Sequence, residues 1–126
     1  MERVRAVFDR WSEGDFRTLD LLDPHVVFVL RPGFPDAGKY VGPASIVDYT
    51  RRFLEPWTHL TMEAQEVLAA GDTVLVGVHQ RGVGSTSGVP TEFHYYQLWS
   101  FRGDKVIRLE NFRERAEALE VAGLRD

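Results

Sequence analysis

The sequence predicts an α+β domain in which N-terminal helices fill the hollow of a curved antiparallel sheet. Three observations carry this. Helix-period apolar patterning dominates the first 54 residues. Long β-branched and aromatic runs separated by tight turns dominate the rest. Helices segregated from an antiparallel meander indicate α+β rather than a doubly wound fold.

Taken in order, Val4, Val7, Phe8 and Trp11 recur at helical spacing, and Ser12-Glu13-Gly14-Asp15 ends that helix. Asp15 is placed to cap a second short helix through Phe16, Leu19 and Leu22, stopped by Asp23-Pro24. His25 to Leu30 is short, apolar and β-branched, hence a strand. Arg31 to Gly42 holds two Pro and three Gly and reads as an irregular crossing loop. Helix resumes after Gly42-Pro43, through Ile46, Tyr49, Phe53 and Leu54, and Pro56 closes it.

Strands are then expected at Leu60 to Ala69, Thr73 to Val83, Glu92 to Arg102 and Lys105 to Phe112. Gly71-Asp72 and Gly103-Asp104 make tight hairpins, and Gly84 to Pro90 a longer loop. Arg113 to Leu124 is a closing helix ended by Gly123. A meander of this length twists and curls, so the early helices bury against its concave side.

Composition bounds the function. The 126 residues form one domain, 1–126, large enough to bury roughly two-thirds of the unfolded surface. A net charge of −4 argues against nucleic acid, whose binders carry a basic field. No apolar run approaches the ~20 residues of a membrane span, and no hydrophobic leader precedes the first helix. The absence of cysteine excludes thiolate chemistry and fits a cytoplasmic protein. His25, His59, His79 and His94 lack tight ligand spacing, so no metal is expected, and no cofactor motif occurs. Ser85-Thr86-Ser87-Gly88 has neither an adjacent base nor a helix N-terminus, which leaves no nucleophile or phosphate cradle.

Several segments carry a family resemblance. Val7-Phe8-Asp9-Arg10-Trp11-Ser12-Glu13-Gly14-Asp15-Phe16 resembles the first-helix signature of the nuclear transport factor 2-like superfamily. Gly42 to Ile46, Leu98 to Val106 and the ending Phe112 to Leu124 are similar to its SnoaL-like branch, named for a polyketide cyclase. The resemblance implies a cone-shaped fold holding a small apolar molecule. It implies cofactor-independent acid–base chemistry of the isomerase, cyclase or lyase kind wherever the cone is catalytic. The apolar outer-face residues Tyr96, Leu98 and Phe112 suit a homodimer interface whether or not the cone is used.

Ketosteroid isomerases of this superfamily use a helix tyrosine, a strand carboxylate base and a protonated aspartate. The matching positions here are Val7, Val29 and Gln97, with Arg31 the nearest polar group to Val29. A Gln amide donates but does not titrate, so that mechanism is disfavoured. The epoxide hydrolase relay of the same superfamily needs acids beside an inward arginine. Arg81 and Arg113 have none of matching parity, and Asp36 is the one carboxylate near the mouth.

Parity then selects the lining. With Gln97 inward, Tyr95, Trp99 and Phe101 follow, and Leu109, Asn111 and Arg113 across the last hairpin. On the preceding strand the same reasoning selects Leu75, Gly77, His79 and Arg81, unless a bulge or register slip inverts the set. In this register His79 and His94 meet only if Gln97 leaves the cavity. The catalytic candidates are therefore His79, as base, and Asn111. The ligand-binding candidates are Trp11, Val29, Arg31, Tyr95, Gln97, Trp99, Leu109 and Arg113. The rival reading is a non-catalytic interaction module that dimerises through outer-face Tyr96, Leu98 and Phe112, with a vestigial cavity.

Overall fold

The computed structural model describes residues 1–16 and 20–124. Its elements run α1 (Glu2–Trp11), β1 (Leu22–Leu30), β2 (Gly38–Val41), α2 (Pro43–Leu54), β3 (Trp57–Ala70), β4 (Thr73–Gly84), β5 (Pro90–Arg102), β6 (Lys105–Phe112) and α3 (Arg115–Ala122). The strands form one curved, unclosed sheet in the order β2-β1-β6-β5-β4-β3. The α+β class read from the sequence is the observed one. All neighbours are antiparallel except β1 and β6, which run parallel.

The apolar stripe of α1 buries Val4, Val7 and Phe8 against the concave face. Proline at the first turn of α2 costs no hydrogen bond, since that N–H has no helical partner. Ile46 and Tyr49 then point α2 into the same core. The concave core is completed by Val26, Phe28 and Leu30 of β1, Val74, Val76 and Val78 of β4, and Tyr95 and Trp99 of β5. Bulges keep this face apolar where strict alternation would expose it. One between Ala64 and Glu66 passes the inward role from Met62 and Ala64 to Val67. Another, between Ser100 and Phe101 in the β5–β6 ladder, lets Val106 and Leu109 of β6 both face inward.

Four expectations are corrected. The second short helix through Phe16, Leu19 and Leu22 lies partly outside the described residues, but Leu22 already pairs with Val106 as strand. Asp23 and Pro24 sit inside β1, at the irregularity between Leu22 and Val27, so they stop no helix there. The crossing loop contains β2, a short edge strand pairing Gly38–Val41 with β1.

The parity on β4 is the reverse of that expected. The β4–β5 ladder runs without a bulge from Thr73↔Ser100 to Val83↔Pro90, so each odd β5 residue faces an even β4 residue. With Tyr95 and Gln97 inward, Val76, Val78 and Gln80 are inward too. Leu75, Gly77, His79 and Arg81 belong to the outer side.

The outer face is covered from within the chain. Leu75, Leu98 and Phe112 are buried with Ala118 and Leu119 of α3, and Tyr96 packs against them. Gly123, in the left-handed region at φ 74°, caps this helix by donating its N–H back to its last turn. Leu98 and Phe112, expected as an open dimer face, are therefore taken by α3.

Candidate functional site

The concave side is not filled completely. A cavity of about 180 Å³ lies between α1, α2 and the sheet. Its walls are aromatic: Trp11 from the end of α1, Tyr49 and Phe53 one turn apart on α2, Trp57 opening β3, and Phe93 and Tyr95 alternating inward on β5. Tyr49 and Phe53 stack at 6.0 Å, and Trp11 packs edge-on to Phe8 at 4.9 Å. Leu109 and Leu30 close the apolar depth. Such a surface is dry and poorly solvated, and favours an apolar guest.

One polar line crosses the floor. Trp99 Nε1 donates to Gln97 Oε1 at 2.9 Å, and Gln97 Nε2 donates to Asn111 Oδ1 at 3.0 Å. Gln97 and Asn111 both line the cavity, whereas Trp99 is wholly buried behind them. Nearer the mouth, Tyr95 Oη donates to Gln80 Oε1 at 3.2 Å and touches Met62 Sδ at 3.5 Å. Burial pushes the Tyr95 hydroxyl well above the ordinary tyrosine range, so it stays protonated at neutral pH. Burial does the same to Tyr49, helped by Tyr40 and the Asp36 carboxylate.

The rim is the loop from Arg31 to Ala37. Phe34 turns inward and stacks on Phe93 at 5.8 Å. Arg113 Nη1 donates to the Gly33 carbonyl at 2.8 Å while its guanidinium lies over Phe93 at 4.7 Å. Tyr40 Oη donates to the Asp36 carbonyl at 2.9 Å, and Asp36, at φ 61°, is the carboxylate of the lining.

The candidates therefore separate into groups. Trp11, Tyr95, Gln97, Leu109 and Asn111 are brought together around the cavity. Trp99 supports it from behind, and Arg113 pins the rim. Val29 and Arg31 do not reach it. Inward residues of β1 are Val26, Phe28 and Leu30, which turns Val29 away. Arg31 instead bridges Glu110 at 2.8 Å and Glu117 at 2.5 Å over the Phe112 ring.

His79 does not reach it either. It stacks on His94 on the outer side and bonds Glu92 Oε1 at 2.8 Å. The pairing His79↔His94 coexists with an inward Gln97, contrary to the expectation that the two exclude each other. Sequence reasoning missed Gln80, through the inverted β4 parity, and Phe34, inside a Pro/Gly loop without periodicity. Tyr49 and Phe53 carried a signal in their four-residue spacing on α2.

Relatives of known structure share this architecture. A family model described as SnoaL-like domain matches residues 4–109. An NTF2-like protein of unknown function from Burkholderia pseudomallei superposes with a TM-score of 0.78 at 18% identity, over 95% of this chain and 94% of that one. A putative SnoaL-like polyketide cyclase from Jannaschia sp. CCS1 gives 0.76 at 16% identity, over 94% and 87%. TerC, co-crystallised with polyporic acid, gives 0.75 at 20% identity, over 97% and 96%. At such identities the likeness is one of fold. No curated protein matches the chain.

Proposed function

The chain belongs to the SnoaL-like domain family, and on that premise we propose that it binds a small ring-containing apolar molecule inside the cone. The observation that carries this reading is the aromatic cavity with an amide pair, Gln97 and Asn111, on an otherwise apolar floor. Flat aromatic walls favour a flat guest through offset and edge contacts. A few fixed polar groups then orient it. The structural relative TerC, crystallised with polyporic acid, supports an organic ring compound as the kind of guest.

Where the guest is also transformed, the chemistry is proton transfer without a cofactor. Neither amide titrates, so Asp36 at the mouth is the group that accepts a proton, and the amides bind the substrate. Asp36→Asn then abolishes turnover and leaves binding intact.

Trp11 and Trp57 line the cavity, so tryptophan fluorescence reports occupancy. Titration with 1-naphthol is expected to quench it saturably, with one site per chain. Leu109→Phe, which narrows the depth, weakens that response. A linear, unsaturable response identical in both proteins would sink the reading, as would native mass spectrometry showing no bound 1-naphthol.

A further inference from the structure

Resting on the cavity reading above, we propose that Trp99 is a positioning residue that locks the polar end of the cavity as a hydrogen-bond donor. The cavity then selects a ring compound that presents a carbonyl or oxyanion to Asn111 and rejects one that presents an N–H.

The argument starts from which atoms are able to donate. Side-chain amides of Gln and Asn have two faces of opposite polarity, and turning either through 180° exchanges them. An indole has no such freedom, because its nitrogen donates and never accepts. Trp99 is wholly buried, and its Nε1 lies 2.9 Å from the Gln97 amide. The face of Gln97 toward Trp99 must therefore be Oε1. Its NH2 is thereby turned to Asn111, 3.0 Å away, which must answer with Oδ1.

One donor-only group at the start of the chain thus fixes every amide after it. The Asn111 NH2 is what remains at the end. Its nitrogen has no protein partner among the described residues, yet no enclosed side-chain nitrogen or oxygen is left unsatisfied. The nitrogen therefore opens on the cavity that Asn111 lines.

The other polar pair shows why this matters. Tyr95 bonds Gln80, but a hydroxyl both donates and accepts, so that pair can reverse to suit a guest. The pair near the mouth is adaptable, and the floor is committed. A guest N–H facing the floor would meet Asn111 donors and lose its own water, leaving two unpaired donors. A guest oxygen gains a bond in place of water.

Three near-isosteric bicyclic probes separate the cases: 1-indanone accepts, indole donates, and indene does neither. The wild-type protein is expected to bind 1-indanone roughly threefold to tenfold tighter than indene, the size of one net hydrogen bond. Indole binds no tighter than indene. The Asn111 side-chain NH2 resonances shift with 1-indanone and stay put with indene.

In Trp99→Phe, Gln97 is free to turn, so the preference for 1-indanone over indole falls toward unity. A purely structural role for Trp99 would weaken all three probes alike and preserve their ratio, which overturns the positioning assignment. Asn111→Leu removes the donor outright and brings 1-indanone to the level of indene. Indene or indole bound as tightly as 1-indanone by the wild type overturns the donor assignment while the cavity reading stands. If none of the three binds, the cavity reading fails and the assignment falls with it. If Trp99→Phe does not fold, Gln97→Leu cuts the same link between Trp99 and Asn111 and is expected to bring the ratio toward unity. A ratio unchanged in that variant overturns the positioning assignment.

Discussion

The imidazoles of His79 and His94 lie face to face, with ring centroids 4.3 Å apart and planes within 6° of parallel, on the side of the sheet away from the cavity. Glu92 and Gln65 hold the His79 ring through its two nitrogens, at 2.8 Å and 3.4 Å. The histidine that the sequence offers as a candidate base is thus separated from the cone by the sheet itself. His79→Ala is expected to leave the affinity for 1-naphthol within about twofold of wild type, and to cost at most about 1 kcal/mol of stability. Fluorescence titration and urea denaturation of the variant check both. Loss of binding would place the histidine in the site after all.

One side chain holds the rim loop in two ways. Arg113 lies over Phe93 and also donates to the Gly33 carbonyl, and Gly33 sits at φ 105°, where an L side chain is strained. A Cβ added there would stand 3.3 Å from Arg113 Cγ. Gly33→Ala is therefore expected to destabilise by about 1–3 kcal/mol. Arg113→Ala costs less stability but frees the loop. The amides of residues 33–37 should then exchange faster with solvent, and bound 1-naphthol should leave sooner. Hydrogen exchange and stopped-flow dissociation measure the two effects.

How far the sequence reveals this site depends on what fixes each strand's register. The tight turn at Gly103-Asp104 would by itself pair Gln97 with Glu110, and a bulge between Ser100 and Phe101 shifts the ladder so that Gln97 meets Asn111. The shared face of Gln97, Leu109 and Asn111 is therefore legible through the family resemblance and not through the turn. The loop from β4 to β5 is longer and rich in Gly and Ser, and it fixes no parity. A one-residue difference there moves His79 out of the cavity and Gln80 into it. Val29 and Arg31 were misplaced for a related reason. An apolar run such as Val26 to Leu30 has no polar face to mark its outside. The closing helix is legible as a helix. Its docking on Leu98 and Phe112 is not, because Arg115–Ala122 carries no clear apolar stripe.

Leu119 of α3 is buried against the outer face with Leu75, Leu98 and Phe112. Removing three of its carbons leaves a void that the sheet cannot close. Leu119→Ala is expected to destabilise by about 2–4 kcal/mol, the range of buried leucine truncations. The cavity lies on the opposite side, so affinity for 1-naphthol in the folded variant should not change. Leu119→Asp goes further and lifts α3 off the sheet. Its exposed apolar face should then drive self-association, visible by analytical ultracentrifugation.

Tyr95 makes stability depend on pH at the alkaline end. In the unfolded chain a tyrosine loses its proton near pH 10. In the fold, burial holds the Tyr95 hydroxyl above that value, so the folded state keeps the proton longer. Between the two values the unfolded state binds fewer protons, and stability falls as pH rises. The contribution is complete below about pH 10 and declines above it by up to about 1.4 kcal/mol per pH unit. Tyr95→Phe has no proton to lose. It also gives up the bond to Gln80, which costs about 1 kcal/mol at neutral pH. Urea denaturation of both proteins from about pH 8 to pH 11 should show the wild-type advantage shrinking above pH 10 and then reversing. A constant gap across that range would mean that the phenolate is tolerated in the fold, and that the cavity beside Gln80 is wetter than its aromatic walls imply.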